Sequence, residues 1–424
     1  MRRTTELCAI GMTAVLLGGL APGMSAPAAA TGQGAKRASE VFPVPADGIF
    51  RFSGRGWGHG RGMSQWGAYQ AATEGVSFRK ILAFYYPRTS LAKAGSTRIR
   101  VLLTSDTGRD LVVRATPTLS AAVGDAPSRR LAAKPAGCGT EATSWRAGAT
   151  AAGLRLAAYC KGWRTVSTTA AATIRFSTPA GIVGTNNDSV RRGYRGWVSA
   201  IRTGPSSVIV VNSVPVERYL RTVVPAETSA SWPREALRAQ AVAARTYAAT
   251  EASSRKGGLF DVYDSTRSQV YLAGFAYDAS WRVVVTREHP RTNAAIQDTE
   301  GLQVMSGGVP VLTQFSSSNG GATAGSPVPY MVASVDSWDA RANRNPRRTW
   351  TDTISARTLA SRFPSVGKVQ SLEVAQRQGV GPWGGRVLDL RIVGDRGSRT
   401  VSGDTAIRAA LGTNSSLLTV STPG

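Results

Sequence analysis

The chain has 424 residues, 42 % of them apolar and 18 % charged, which is a globular rather than a disordered composition. Lys and Arg outnumber Asp and Glu by 51 to 26, and the resulting net charge of +25 asks for a polyanionic neighbour. Three cysteines exclude a disulfide-dense scaffold and two histidines exclude a His-rich metal centre. No basic stripe interleaved with aromatics and no zinc-finger spacing points to nucleic acid.

Arg2 and Arg3 precede an apolar run from Ala9 to Leu17, and Ala28-Ala29-Ala30 offers an Ala-x-Ala cleavage site. Residues 1–30 are therefore predicted to be a secretory signal peptide. The run is shorter than a bilayer needs, so no stable membrane span is expected after cleavage. Removing this segment takes away two arginines and one glutamate and leaves an excess of +24. An exported chain this basic meets phosphate- and carboxylate-bearing wall polymers rather than nucleic acid, so a secreted, wall-associated location is expected. In that oxidising setting Cys138 and Cys160 are expected to form one disulfide, contributing about 2–4 kcal/mol.

Residues 31–47 read as a linker, and 52–68 (FSGRGWGHGRGMSQWGA) are dense in glycine. A helix is predicted from Ser64 to Thr73, and helical spacing resumes over 76–86 until Pro87 stops it. Residues 98–214 read as strands, clearest at 98–103, 110–114, 194–201 and 207–212, with 120–135 as an exposed insertion. The period then changes. Val216, Leu220, Val223 and Val224 recur at three and four, with Pro215 at the start and Glu217 suited to the helix dipole. A longer helix is predicted from Trp232 to Ser253, with Ser231 as its N-cap. Its narrow face of Leu237, Ala241, Ala244 and Ala248, edged by Gln240 and Tyr247, predicts close burial. Residues 260–316 alternate again as strands and run into a polar loop, 316–321. The stretch 366–424 suggests a small β-rich module with strands at 371–374 and 386–393 and a short helix at 404–411. The predicted fold class is α+β.

No Walker loop, HExxH, EF-hand loop or GxSxG elbow is present. Gly54, Gly56, Gly58 and Gly60 alternate without the strand and helix of a dinucleotide unit. Glu227 lies between the two helices among apolar and small residues. Burial there would raise its pKa and let it donate a proton near neutrality, whereas the following helix N-terminus favours the charged form. A capping or salt-bridge glutamate is the structural alternative. His59, among glycines and beside Trp57, suits contact with a polymer or a tight turn, while His289 reads as surface. The hydroxyl and amide groups around Asn319, Gly320 and Gly321 suit sugar hydroxyls or an ordinary turn.

The stretch VPVERYLRTVVPAETSASWPREALRAQAVAARTYAA (214–249) closely resembles the signature of the SpoIID/LytB family, stage II sporulation protein D and its relatives. Three further stretches are similar to the same family: 264–274 (DSTRSQVYLAG), 315–323 (FSSSNGGAT) and 56–68 (GWGHGRGMSQWGA). The resemblance implies a β-rich core with buried helices around a groove, and a lytic transglycosylase that cleaves peptidoglycan between N-acetylmuramic acid and N-acetylglucosamine, leaving a 1,6-anhydromuramoyl end. The family's essential glutamate falls on Glu227, acting as general acid and then base. Substrate contacts are expected from His59, Ser64, Gln65, Gln240, Arg245, Gln269, Tyr271, Ser317, Ser318, Asn319, Gly320 and Gly321. The implied partners are peptidoglycan glycan strands and anionic wall polymers.

Zinc-binding relatives place His and Cys near the site. Here Phe315 and Asn319 stand in that part of the loop without a Cys, so neither metal nor cofactor is expected. Two other activities stay open. One is a non-catalytic wall-binding modifier of an amidase or autolysin, a role known for LytB-type relatives. The other is a hydrolytic muramidase, which would ask for a second carboxylate such as Asp264. The glycine-histidine block, within segment 48–90, precedes the expected core (97–330) and small module (331–424), whereas family members carry it near the C-terminus. That order implies a circular permutation, in which 48–90 packs where a C-terminal segment normally would and His59 returns toward Glu227.

Overall fold

The alternating apolar positions between residues 98 and 215 fold as two sheets that share one core. The structure, a computed structural model, describes residues 39–95, 97–108, 110–187 and 190–421. The expected signal peptide and residues 31–38 of the expected linker lie outside these residues. The first sheet has seven strands, in the order 262–263, 98–102, 207–215, 197–204, 173–177, 120–123 and 129–130. The second has eight, in the order 163–169, 153–159, 144–150, 110–114, 182–187, 190–195, 275–277 and 283–286. Ile99, Val101, Ile174, Phe176, Val208 and Val210 point inward from one, and Leu111, Val113, Leu154 and Val183 from the other. Period-two patterning sends every second residue to the shared interior. The fold is α+β.

Helices carry the remaining apolar faces. They are α1 (Gln65–Thr73), α2 (Phe78–Tyr85), α3 (Val216–Glu227), α4 (Arg234–Ser254), α5 (Pro290–Asp298), α6 (Ser337–Arg341), α7 (Ala356–Arg362) and α8 (Asp404–Leu411). Val216, Tyr219, Leu220 and Val223 of α3 and Ala241, Ala244 and Ala248 of α4 join the two-sheet core. The opposite side of α4, at Ala239, Val242 and Ala243, packs on α1 and α2 through Met63, Ala68, Ile81 and Leu82. The alanines along α4 thus allow it to be buried on both sides, as their small size predicts. Arg245, fully buried on the same helix, is neutralised by Glu217 of α3 at 2.8 and 2.7 Å. It also donates to the carbonyls of Ile296 and Leu302, both at 3.2 Å.

A second core holds Phe50, Phe52, Trp350, Leu372, Leu390, Ile392, Ile407 and Leu418. Ile49–Arg55 lies between Thr349–Ser355 and Leu418–Ser421, so a strand near the start of the described chain pairs with one at its end. Glu40–Pro43 likewise borders the sheet formed by 369–377, 387–394 and 397–402. The β-rich module expected at 331–424 therefore takes in two strands from the N-terminal side.

Three local expectations are corrected. Residues 120–123 form a strand with Ala121 and Ala122 buried, rather than part of an exposed insertion. Within 260–316, residues 290–298 are helical: Pro290 starts α5 with its preset φ, and the His289 side chain caps the Arg291 amide. The helix expected from Trp232 begins at Arg234, with Pro233 rather than Ser231 in the N-cap position. Cys138 and Cys160 are joined as a disulfide with a Cα–Cα distance of 5.7 Å. Among the described residues no helix is long and apolar enough to cross a membrane.

Candidate active site

Pro225 lies in the last turn of α3 and cannot donate a helical hydrogen bond there, and Glu227 is the last residue of the helix. Thr228 leaves in extended conformation and returns its amide and hydroxyl to the Val224 carbonyl, each at 3.0 Å. This ending turns the half-buried Glu227 side chain toward the 264–274 loop. The Val270 amide donates to Glu227 Oε1 at 2.9 Å.

Burial raises the pKa of Glu227 above the ordinary carboxylate value, and the Val270 and Gln65 groups oppose that rise in part. The Gln65 amide approaches the carboxyl from the start of α1, while its Nε2 lies outside hydrogen-bonding geometry to any acceptor among the described residues.

The 264–274 loop is held from beneath. Tyr219 donates its hydroxyl to Gln269 Oε1 at 2.9 Å, and Gln269 Nε2 reaches the Ala244 carbonyl at 3.3 Å. Tyr271 stacks on Tyr219 with ring centroids 5.0 Å apart and donates to Asn212 at 2.6 Å. Gln269, Tyr271 and Arg245 are thus buried and engaged with internal partners. Gln240 is also buried, yet both polar atoms of its amide are unpartnered among the described residues.

The glycine-rich block and the serine loop meet as backbone. Met63–Ser64 pairs in parallel with Phe315–Ser316, and Trp57 bridges Ser318. The contact needs glycine. A Cβ on Gly56 would lie 2.7 Å from the Gly320 nitrogen, and Gly320 has φ 76° with its own would-be Cβ 2.7 Å from the Arg55 backbone.

Two buried carboxylates that the sequence analysis did not single out fasten this junction. Asp339 accepts from the hydroxyls of Ser64 and Ser318 and from the amides of Asn319 and Gly320, the last two at 3.1 Å. Asp336 accepts from Tyr85 and from Asn319 Nδ2, both at 2.7 Å. Burial and the neighbouring Asp336 push the Asp339 carboxyl up to about 6. Ser64, Ser318 and Asn319 are therefore internal fasteners, whereas Ser317 keeps a half-buried side chain. The only sequence signal for Asp336 was its place before a short helix, which it caps through the Trp338 and Asp339 amides.

His59 lies half-buried beside Arg61 and near Asp404, Arg386 and Arg408. Its Nδ1 accepts from the Arg61 amide at 3.0 Å. Burial, with Arg61 next, lowers its pKa to about 4 against the pull of Asp404, and Arg386 and Arg408 lower it further. From this block Gln65 acts on the Glu227 carboxyl. Asp264, the candidate second carboxylate, accepts from the Thr104 amide at 2.9 Å and hydroxyl at 2.8 Å. Tyr247 is a member that the sequence analysis left on a helix edge. Its half-buried phenol feels the Glu227 charge and is raised to about 12, chiefly by burial, and its ring lies 6.5 Å from that of Phe315. Among the described residues no group of three or more His, Cys, Asp or Glu could hold a metal ion.

Val270 of the 264–274 block and Gln65 of the 56–68 block thus act on the Glu227 carboxyl, and the 315–323 block pairs with 56–68. Residues 205–306, which contain Glu227, match the SpoIID family, Stage II sporulation protein. The chain is 34 % identical over 158 residues to the amidase enhancer of Bacillus subtilis (strain 168), covering 36 % of this chain and 19 % of that one. It is 29 % identical over 160 residues to stage II sporulation protein D of the same organism, covering 34 % and 45 %. To stage II sporulation protein D of Bacillus amyloliquefaciens it is 28 % identical over 183 residues, covering 39 % and 52 %. The match spans about a fifth of the amidase enhancer (19 %) and about half of the sporulation proteins (45 % and 52 %). Residues 205–306 thus carry the SpoIID pattern, and over this core the chain is similar to the SpoIID/LytB family.

Proposed function

We propose that this chain is a secreted, wall-associated lytic transglycosylase acting on peptidoglycan glycan strands, with Glu227 as its single acid–base. The observation that carries the reading is the Glu227 carboxyl, raised in pKa by burial yet held at one oxygen by the Val270 amide. A carboxyl in that state stays protonated to higher pH than a free glutamate and remains oriented. It gives its proton to the glycosidic oxygen as the C1–O bond breaks. As a carboxylate it then takes the proton of the muramoyl C6 hydroxyl while that oxygen bonds C1 of the same sugar. Atoms balance without water, so no second carboxylate is needed. This agrees with Asp264 being engaged by Thr104. The Gln65 amide, approaching from the start of α1, tempers the rise that burial gives the carboxyl.

The SpoIID core and the likeness to an amidase enhancer also support a second reading, a wall-binding modifier of an amidase that cuts nothing itself. Purified protein incubated with glycan strands, with and without stem peptides, separates the readings by mass spectrometry. Anhydromuramoyl ends are the expected product. Reducing ends would indicate a hydrolytic muramidase, and uncut strands that still bind would indicate the modifier. Glu227→Gln is expected to lower cleavage by at least about a hundredfold while leaving wall binding. Retained cleavage would overturn the role of Glu227.

A further inference from the structure

The eight-stranded sheet carries a pocket of about 450 Å³ that shares no residue with the surroundings of Glu227. That volume falls in the range of small-ligand sites. Three aromatic rings border it. Tyr159 and Trp163 stand opposite each other across the 153–159 and 163–169 strands, edge to face with centroids 5.3 Å apart. Trp281 closes the other side from the turn 278–282.

That turn is built to present the indole. Asp278 Oδ1 accepts from the Ser280 and Arg282 amides at 2.8 and 2.9 Å. Trp281 itself has φ 62°, a left-handed conformation that a bulky residue keeps only where its surroundings enforce it. Its ring presses on the strand at Gly184, where a Cβ would lie 2.8 Å from it.

Guanidinium groups lie over the indoles. Arg146 is 4.3 Å from the Trp163 centroid, and Arg114 and Arg191 are 5.0 and 5.6 Å from that of Trp281. Arg146 is paired with Asp110 at 3.3 Å. Arg191 gives one N–H to the Asp278 carbonyl at 3.1 Å, while its Nε and the neighbouring Asn186 Oδ1 are unpartnered buried atoms among the described residues.

We propose that this pocket is a second saccharide site, separate from Glu227, for a sugar that carries a carboxylate or phosphate. The apolar face of a pyranose stacks on an indole, and the guanidinium of Arg191, which lines the pocket, takes the anion. The inference does not rest on the transglycosylase reading. A purely structural aromatic–arginine ladder would account for the stacking but not for the open pocket of about 450 Å³ that the rings and Arg191 border.

The test measures binding calorimetrically on the full chain carrying Glu227→Gln, so that no strand is cut. The probes are glycan strands freed of stem peptides, poly(glycerol phosphate) and a neutral chitooligosaccharide. Trp281→Ala and Arg191→Gln are each expected to weaken binding of an anionic polymer about tenfold, and the polymer that shows the loss identifies whether carboxylate or phosphate is read. Arg399→Gln, exposed on a different sheet, controls for loss of one charge and is expected to change binding less than about twofold. The proposal fails if Arg191→Gln binds both anionic polymers like its parent, whatever Trp281→Ala does. It also fails if neither polymer binds, or if the neutral oligosaccharide shows the same loss.

Discussion

The amide of Val270 reaches the carboxyl of Glu227 at 2.9 Å across 43 residues of chain. This bond ties the end of α3 to a loop whose other residues are locked from below by Tyr219 and Asn212. The carboxyl is thereby fixed by backbone, which leaves its second oxygen for chemistry.

The first prediction concerns pH. The Glu227 pKa is raised by burial, so the protonated acid persists above the usual carboxylate range, and cleavage should fall only as pH rises past that raised value. The Gln65 amide favours the charged form, so Gln65→Ala should move this falling limb to still higher pH. Rate profiles of the two proteins on the same glycan check it, and a limb that moves downward counts against the assignment.

The second concerns the Asp339 junction. Its folded pKa of about 6 exceeds the ordinary 3.8, so its stabilising contribution is complete below pH 4 and is lost as pH rises through 6. Asp339→Asn should flatten the pH dependence of the urea midpoint in this window. It should also cost about 1–3 kcal/mol, since four donors lose a carboxylate acceptor. Cleavage should fall with it, because the strand pairing that places Gln65 is anchored there.

The third tests α3 against α4. Arg245→Ala removes a fully buried cation and strands the Ile296 and Leu302 carbonyls and the Glu217 carboxylate. A loss of about 3 kcal/mol or more is expected from urea unfolding, with the slope of the transition unchanged. Glu217 keeps partial solvent exposure, so Glu217→Gln should cost less.

The fourth concerns the disulfide. Replacing both Cys138 and Cys160 by serine should lower stability by about 2–4 kcal/mol, read from thermal or urea melts. Glycan cleavage at permissive temperature should be unchanged, since the bond lies outside the surroundings of Glu227. A matching shift on reduction of the parent protein would complete the test.

Local chemistry determined much of this protein from sequence alone. Alternation set the strands of 98–215, the three-to-four spacing set α3 and α4, and Ser64 marked the start of α1, because such signals act within a few residues of chain. The SpoIID pattern around 214–249 was also legible there, as was the pairing of Cys138 with Cys160. Tertiary structure alone decided which members meet. It put Gln65 and Tyr247 beside Glu227, sent His59 to Arg61 and Asp404, sealed Arg245 against Glu217, and recruited Asp336 and Asp339 as fasteners. The reason is that burial and partner choice for a polar side chain depend on groups up to hundreds of residues away, such as the 275 positions between Ser64 and Asp339. No periodicity or local propensity encodes those distances.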